Sequence, residues 1–327
     1  MHTFKSISTC NLCGNTEVTP ISDIDRNGKP LTTVMCTFCG LVRTDPLPTK
    51  EEINEFYQTK YWNEYKDYHP KLKHIYRNAH RALNRYKRDQ HYFKNAQSIL
   101  EIGSGRGEFV YLLNYLNLHA QGLEPHTIYS QYSREEFGIP VTSAMLEQAS
   151  YAPNTFDLIT SHHVVEHLCD PAIELRRMNR WLKEGGHLIV EVPNIEANRH
   201  APKNRFHFAH IYNFNAITLE ELAYRQGFSF IRHTLGGDHE NHLHMIFQKK
   251  GLPTGQHKYT AAKLKENFEH LHKKVHSHTS FDHYLTLTPY LRTFNKLRNG
   301  ISEKLIVRNF KQGKDVANYV FKASTCI

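Results

Sequence analysis

The sequence predicts an α/β chain built on a doubly wound, mostly parallel sheet, and three observations predict it. Short apolar runs alternate with helix-forming stretches from residue 98 to residue 250. One of these runs, ILEI, stops at three alternating glycines, GSGRG (103–107). The flanks differ from this middle: two matched cysteine pairs precede it, and a basic helix-forming stretch follows it. Alternation of strand and helix is the pattern of a parallel sheet covered on both faces. Ligands of such sheets bind at the carboxyl ends of the strands.

The alternation supplies seven strands. SILEI (98–102) reads as a short buried strand, EFVYLLNYL (108–116) as a helix, and AQGLE (120–124) as a strand ending in an acid. IPVT (139–142) and FDLIT (156–160) are the third and fourth strands. PAIELRRMNRWLKEGG (171–186) is a helix with Asp170 as N-cap, Pro171 at its first position and glycines at its end. HLIVEVPN (187–194) is the fifth strand. ITLEELAYRQGF (217–228) is a helix expected to be capped by Thr218 and Glu221 and closed by Gly227. SFIRHTL (229–235) and LHMIFQKK (243–250) are close enough in sequence to form an antiparallel pair.

Ahead of this core, CNLCG and CTFCG repeat one short pattern, placing Cys10 and Cys13 on one tight turn and Cys36 and Cys39 on another. The glycine after each pair lets the backbone curl so that N–H groups face the sulfurs. Four thiolates suit tetrahedral Zn(II) in a closed site with no open position for chemistry, so the metal is expected to be structural. Cys169 and Cys326 stand apart, and this is no disulfide framework. Thr49 and Glu52 form a capping box that starts a helix, YWNEY follows, and residues 70–95 read as a long basic amphipathic helix. The expected organisation is a zinc-binding module at 1–48, a helical linker at 49–95, the α/β domain at 96–250 and a basic helical extension at 251–327.

Composition narrows the class. No apolar run approaches the roughly 20 residues of a membrane helix, and MHTFKSISTC lacks the apolar core of a secretory signal. A cytoplasmic protein is the expectation. Net charge is +9, and residues 251–327 hold 13 Lys/Arg against 5 Asp/Glu, so the surplus belongs to the tail. Such a tail suits a solvated helical surface, helices that pack on the core or mediate a homodimer, or contact with an anionic glycan or membrane surface. It lacks recognisable RNA-binding folds, so nucleic acid is not the expected partner.

The glycine turn poses a choice of cofactor. A dinucleotide fingerprint is G-x-G-x-x-G with an acid about 20 residues on, and its pyrophosphate sits on the following helix N-terminus. Here Gly103, Gly105 and Gly107 make G-x-G-x-G, and Glu108 takes the sixth place, where a carboxylate would repel phosphate. S-adenosylmethionine has ribose and adenine, no phosphate, and a sulfonium and an ammonium instead. Glu101 suits the ammonium, and Glu124 suits the ribose hydroxyls as a bidentate acceptor.

EIGSGRGEF, GLEP, FDLITSHHVVEHLCDP and LKEGGHLIVEVPN, in that order, resemble the class I S-adenosylmethionine-dependent methyltransferases, with their Rossmann-like sheet. The leading CNLCG…CTFCG is similar to a zinc-bearing subgroup often linked to sugar and surface-polysaccharide modification. The resemblance covers residues 10–250 and implies cofactor roles for Glu101, Gly103, Ser104, Gly105, Gly107, Glu124 and Pro125. It places Met145 and Leu146 beside the adenine and His162 near the cofactor. The implied reaction is methyl transfer to a small-molecule or sugar acceptor through a hydroxyl oxygen. Sugar C-methylation and RNA methylation are the alternatives, and related C-methyltransferases carry a larger C-terminal domain than this tail.

Transfer to an alcohol needs a base, and histidine is the natural one near neutral pH. SHHVVEHL follows the fourth strand. If it opens a helix, His163, Glu166 and His167 share one face. The motif resembles one in ubiquinone-pathway O-methyltransferases thought to hold a divalent ion, but His163 stands where a Glu is expected, which disfavours magnesium. His167 is weighed evenly as base or, with Glu166, as support for the cofactor loop. RFHFAHIYNF (205–214) adds His210, with His207 and aromatics suited to stacking on a sugar. GGDHENHLH (236–244) reads as a surface hairpin.

Overall fold

The computed structural model describes residues 3–6, 8–55, 70–234, 241–252 and 255–325. YWNEY, Cys326 and most of the GGDHEN stretch lie outside the described residues. The chain divides into two compact units. The first comprises Met1–Tyr65, His162–Arg180 and Leu188–Pro289; the second comprises Lys66–Ser161, Trp181–His187 and Tyr290–Ile327.

The α/β class stands as expected. A seven-stranded mixed sheet takes the order β11-β12-β9-β8-β5-β6-β7. Here β5 is Ile99–Ile102, β6 Ala120–Leu123, β7 Val141–Thr142, β8 Phe156–His162, β9 Leu182–Pro193, β11 Phe228–Thr234 and β12 His242–Lys249. β5 runs parallel to both β6 and β8, and β6 parallel to β7, whereas β11 and β12 pair antiparallel. The central strands are apolar because both their faces are covered; all four residues of β5 are buried.

Two expected boundaries move. The helix after Asp170 ends at Trp181 rather than 186, and β9 begins at Leu182. Gly186 serves close approach, not a cap: a Cβ on it would meet the carbonyl oxygens of Lys183 and Asp157. The N-terminal end holds as read, with Asp170 Oδ1 accepting from the N–H groups of Ala172 and Ile173. In the helix Ala216–Arg225 the cap is Asn215, not Thr218. Asn215 Oδ1 accepts from Thr218 N–H, and Thr218 Oγ1 accepts in return from Asn215 N–H. The capping box therefore uses the pair Asn215 and Thr218, three residues earlier.

In the first unit the N-terminal segment forms a second sheet. Strands β1 (Phe4–Lys5), β2 (Glu17–Ile24), β3 (Pro30–Cys36) and β4 (Val42–Thr44) pair in sequence, and β10 (Tyr212–Asn213) closes the edge against β4. Its apolar face joins Leu31, Met35 and Val42 to Ile195, Phe206 and the tail residues Phe268, Leu271 and Val275. Those last three lie on a helix over Ala261–Ser277. Asn267 of that helix donates to the Cys39 carbonyl at 2.8 Å and accepts from Asn215 Nδ2 at 2.7 Å. The capping box at Thr49 and Glu52 forms as read, opening a helix over Lys50–Glu55.

The second unit holds the long helix Leu72–Lys94, the helix Glu108–Tyr115 after the glycine turn, and the end of the tail. The last helix, Gly313–Thr325, lies on the long helix and on the turn after β6: a Cβ on Gly313 would strike Ile75 and Tyr132. Phe321 packs against Tyr111 and Tyr115, and Tyr111 donates its hydroxyl to Asn318 at 2.7 Å.

Arg43 is the largest fully buried side chain. Its guanidinium donates to Asp45 Oδ1 (2.8 Å), the Thr44 carbonyl (3.1 Å), Ser6 Oγ (2.8 Å) and the Ser8 carbonyl (2.6 Å). Removing one partner of such a pair strands a buried charge. Arg43→Ala is expected to lower the unfolding free energy by about 3–5 kcal/mol, read from urea denaturation; a loss within the range of a surface substitution would contradict this packing.

Candidate functional site

The glycine turn is folded around the ends of β5 and β6. The N–H groups of Gly103 and Ser104 both reach the Leu123 carbonyl, at 2.8 and 3.1 Å, and the Gly107 N–H reaches the Ser104 carbonyl. Gly103, Gly105 and Gly107 all hold positive φ, at 68°, 56° and 86°, a region that disfavours other residues. At Gly107 space adds to strain, because a Cβ would meet Ile139 and Ser133, whereas at Gly105 it would meet nothing within 4 Å. The turn thus presents bare backbone to open space at Gly105.

Carboxylates surround this backbone. Glu124 accepts from the Gly105 N–H at 2.7 Å through Oε2 and from the His126 N–H at 2.9 Å through Oε1. Burial pushes its carboxyl up to about 7, against the pull of those two N–H groups. Glu101 is buried on β5; burial pushes it to about 8, Arg85 draws it back, and Glu108 and Glu124 repel its charge. Glu108, in the first turn of its helix, is raised chiefly by burial and eased by Asn78, whose Nδ2 donates to Oε1 at 3.1 Å. The acid in the phosphate position therefore faces the long helix and ties it to the turn.

Each carboxylate oxygen has a second lone pair, so Glu124 keeps acceptor capacity after its two backbone contacts. Burial holds these three carboxyls toward their protonated form; a cationic, phosphate-free nucleoside would draw them back to carboxylates, whereas a pyrophosphate would oppose their ionisation. Of the other expected cofactor residues, Pro125 is exposed, Met145 is half-buried, and Leu146 is buried in a single 3-10 turn over Leu146–Gln148. His162 is the buried last residue of β8. Sequence reasoning missed Gly122, which must lack a side chain because a Cβ there would collide with Ser104. Its signal was a glycine inside a strand pattern.

In the first unit, the structure brings His163, Glu166, His167 and His210 together, but not on a helix. His163 takes a left-handed φ of 59°, and only Val165–His167 make a 3-10 turn. The His163 N–H donates to the Glu191 carbonyl at 2.7 Å, and its left-handed φ carries the chain off the end of β8 without a helix. His163 still meets Glu166, Nδ1 to Oε1 at 3.4 Å, and Glu191, Nε2 to Oε1 at 3.4 Å. Burial alone would lower its pKa; the two carboxylates outweigh burial and push it to about 9. His163 is thus an imidazolium at neutral pH and cannot act there as a base. Glu191 was missed, although an acid inside the apolar run HLIVEVPN was a visible signal.

His167 Nδ1 lies 2.6 Å from the Ala209 carbonyl. A carbonyl only accepts, so Nδ1 carries the proton and a neutral His167 keeps its lone pair on Nε2, 3.8 Å from Glu166 Oε1. The His210 ring lies 4.9 Å from that of His167. Burial first, with the neighbouring His167 ring adding to it, holds His210 down to about 3; His207 is likewise held to about 4, first by burial and then by Arg26. Donor atoms of Glu166, His167 and His210 lie within 4.8 Å of one another. Magnesium, a hard ion, does not fit them: the set offers one carboxylate, already facing an imidazolium.

The aromatics of RFHFAHIYNF do not serve stacking as expected. Phe206, Tyr212 and Phe214 are buried in the core, and the Tyr212 hydroxyl donates to the Cys169 carbonyl at 3.2 Å. Nor is the late histidine stretch a surface hairpin throughout: His244 is fully buried in β12 with Nδ1 3.0 Å from Thr234 Oγ1.

The four expected cysteines converge. Cys10 and Cys39 sulfurs lie 3.6 Å apart, Cys13 and Cys36 sulfurs 3.5 Å, and all four within 4.8 Å. These separations are far beyond a disulfide bond and near the roughly 3.8 Å edge of a tetrahedron with Zn–S of about 2.3 Å. Gly14 and Gly40, at φ 77° and 82°, return their N–H groups to the carbonyls of Cys10 and Cys36.

A family model for a methyltransferase domain matches residues 70–233, half of the 327-residue chain. The chain belongs to the methyltransferase domain family. The glycine turn, Glu101, Glu124 and the His163–His210 cluster all fall within the matched span. An uncharacterized protein of Methanocaldococcus jannaschii is 28% identical over 134 residues, which are 40% of this chain. The chain spans about half, 52%, of that relative's length. Among solved structures, it is similar to a Pyrococcus horikoshii protein at 17% identity and TM-score 0.45, over 54% of this chain and 91% of that one. It is also similar to an S-adenosylmethionine-dependent methyltransferase of Archaeoglobus fulgidus at 18% identity and TM-score 0.44, over 52% and 94%. No helix among the described residues is long and apolar enough to cross a membrane.

Replacing His163 with asparagine keeps a residue tolerant of left-handed φ and removes the cation. A raised imidazole pKa contributes stability in full below its unfolded value of about 6.5 and loses it as pH rises through about 9. The melting temperature of His163→Asn should therefore trail that of the wild type most below pH 6.5, and the gap should close by about pH 9. A gap independent of pH would refute the imidazolium.

Proposed function

We propose that this methyltransferase transfers the methyl group of S-adenosylmethionine to a hydroxyl oxygen of a small-molecule or sugar acceptor, such as a nucleotide sugar or glycan. When bound, the cofactor supplies a methyl group on a sulfonium, already a strong electrophile. Glu101 would answer its ammonium, Glu124 its ribose hydroxyls, and the GSGRG backbone its methionine part. His167 Nε2 would take the proton of an acceptor hydroxyl presented to it. Glu166 then faces the imidazolium so formed, and His210, held neutral, lies beside it.

The observation that supports an oxygen acceptor is the contact of His167 Nδ1 with the Ala209 carbonyl, which in a neutral ring leaves the basic lone pair on Nε2. A carbohydrate acceptor is supported by the N-terminal module, which resembles that of the zinc-bearing subgroup linked to sugar modification. Zn(II) in that module would be structural, held by Cys10, Cys13, Cys36 and Cys39 with no position left for substrate.

The test is incubation with labelled cofactor and a panel of nucleotide sugars, glycans and lipid-linked sugars, with NMR of the product to locate the methyl group. Label on carbon, or on RNA alone, would overturn the reading. His167→Ala should lower kcat by about 10²–10⁴-fold with cofactor affinity retained, whereas Glu124→Ala should lose cofactor affinity. Equal losses of affinity in both variants would remove His167 from the chemistry. For the metal, elemental analysis should find about one zinc per chain, lost in Cys36→Ser together with thermal stability; metal-free protein of unchanged stability would sink the zinc site.

A further inference from the structure

The tail contains a helix that leaves a row of apolar residues exposed. It spans Thr288–Val307, and its buried residues are Glu303 and Val307, near the end that returns to the second unit. Glu303 is anchored there by Arg77, whose Nε donates to Oε1 at 3.0 Å. At 100° per residue, Glu303 and Val307 lie on one side, and Tyr290, Phe294, Leu297, Ile301 and Leu305 lie on the other. Those five, with Leu291, are each 55–65% exposed. A helix that packs by its apolar stripe would bury them; this one turns the stripe to solvent along about 24 Å at 1.5 Å per residue. Scattered exposed apolar residues are ordinary, but an aligned row of this length marks a contact surface.

Charge selects the kind of surface. From residue 292 to 311 the chain carries Arg292, Lys296, Arg298, Lys304, Arg308 and Lys311, and its single acid is Glu303, already engaged by Arg77. On the helical wheel Arg298 borders one side of the stripe and Lys304 the other. Long basic side chains at the borders of an apolar stripe can reach outward while their stems lie along it. A second copy of the same helix would set these cations against one another with no acid to answer them. An anionic lipid surface answers both features, taking the apolar row into the acyl boundary and the cations at the headgroups.

We propose that the helix Thr288–Val307 is an interfacial membrane-binding element that docks this methyltransferase on anionic lipid surfaces without spanning them. The proposal is independent of the acceptor, because none of these residues belongs to the cofactor turn or the histidine cluster.

The test is co-sedimentation of the full chain with vesicles of phosphatidylcholine alone and of phosphatidylcholine mixed with phosphatidylglycerol, at low and high salt. Partition to the anionic vesicles should exceed that to neutral ones by at least about tenfold and weaken with salt. The double variant Phe294→Glu/Ile301→Glu changes exposed side chains, so its melting temperature and cofactor affinity should match the wild type. Its vesicle binding should fall about tenfold or more. No binding to anionic vesicles overturns the proposal, as does equal binding by the variant. Sedimentation velocity supplies the remaining arm: a dimer of the wild type that the variant abolishes would assign the stripe to a second copy instead.

Discussion

Three carboxyl groups taken out of water beneath one turn are the constraint around which the cofactor half of this protein is organised. Glu101, Glu108 and Glu124 are all buried, and each is raised by that burial. Charge so placed must be answered by N–H groups, by neighbouring side chains or by a ligand. The turn answers part of it, since the Gly105 and His126 N–H groups are spent on Glu124. The long helix answers another part through Asn78 and Arg85. What remains favours a cation and opposes phosphate, so the electrostatics choose between two nucleotide classes that share a backbone shape.

The histidine cluster solves a similar problem with different means. Glu166 has no hydrogen bond from a backbone N–H in the way Glu124 does; it is faced by imidazoles. Because one of these is held charged by two acids and another is held neutral by burial, rings of the same type reach neutral pH in different protonation states. Division of labour among identical side chains then follows from how many acids each ring sees.

How much of this was legible in the sequence depended on the range of the interaction involved. Strand and helix identity followed from local periodicity, and the capping box at Thr49 and the N-cap at Asp170 from local chemistry. The four cysteines were legible because their spacing alone dictates a cluster. The failures were long-range. Residues 182–186 carry a helix-like ending, yet Gly186 is there because the backbones of Lys183 and Asp157 come close to it. His163 sits in a helix-forming stretch, yet its N–H is claimed by Glu191, 28 positions on. The aromatics at 206–214 carried the composition of a sugar platform, but Phe206 and Phe208 belong to a core shared with strands from the start of the chain and a helix from its tail, and Tyr212 and Phe214 are buried. Nothing within a ten-residue window reports such partners.

The short strand Tyr212–Asn213 gives the N-terminal sheet an importance that its position in the chain conceals. It pairs only with Val42 and Arg43, and it lies two residues beyond His210 and three beyond Ala209, the carbonyl that fixes His167. The segment that matches a methyltransferase domain begins at residue 70, so it contains the histidines and the strand Tyr212–Asn213 but not Val42 and Arg43, on which that strand pairs. The cysteine module therefore acts as a splint set outside the matched segment: a recombination event that delivered that segment alone would deliver the histidine cluster with one of its walls unfastened.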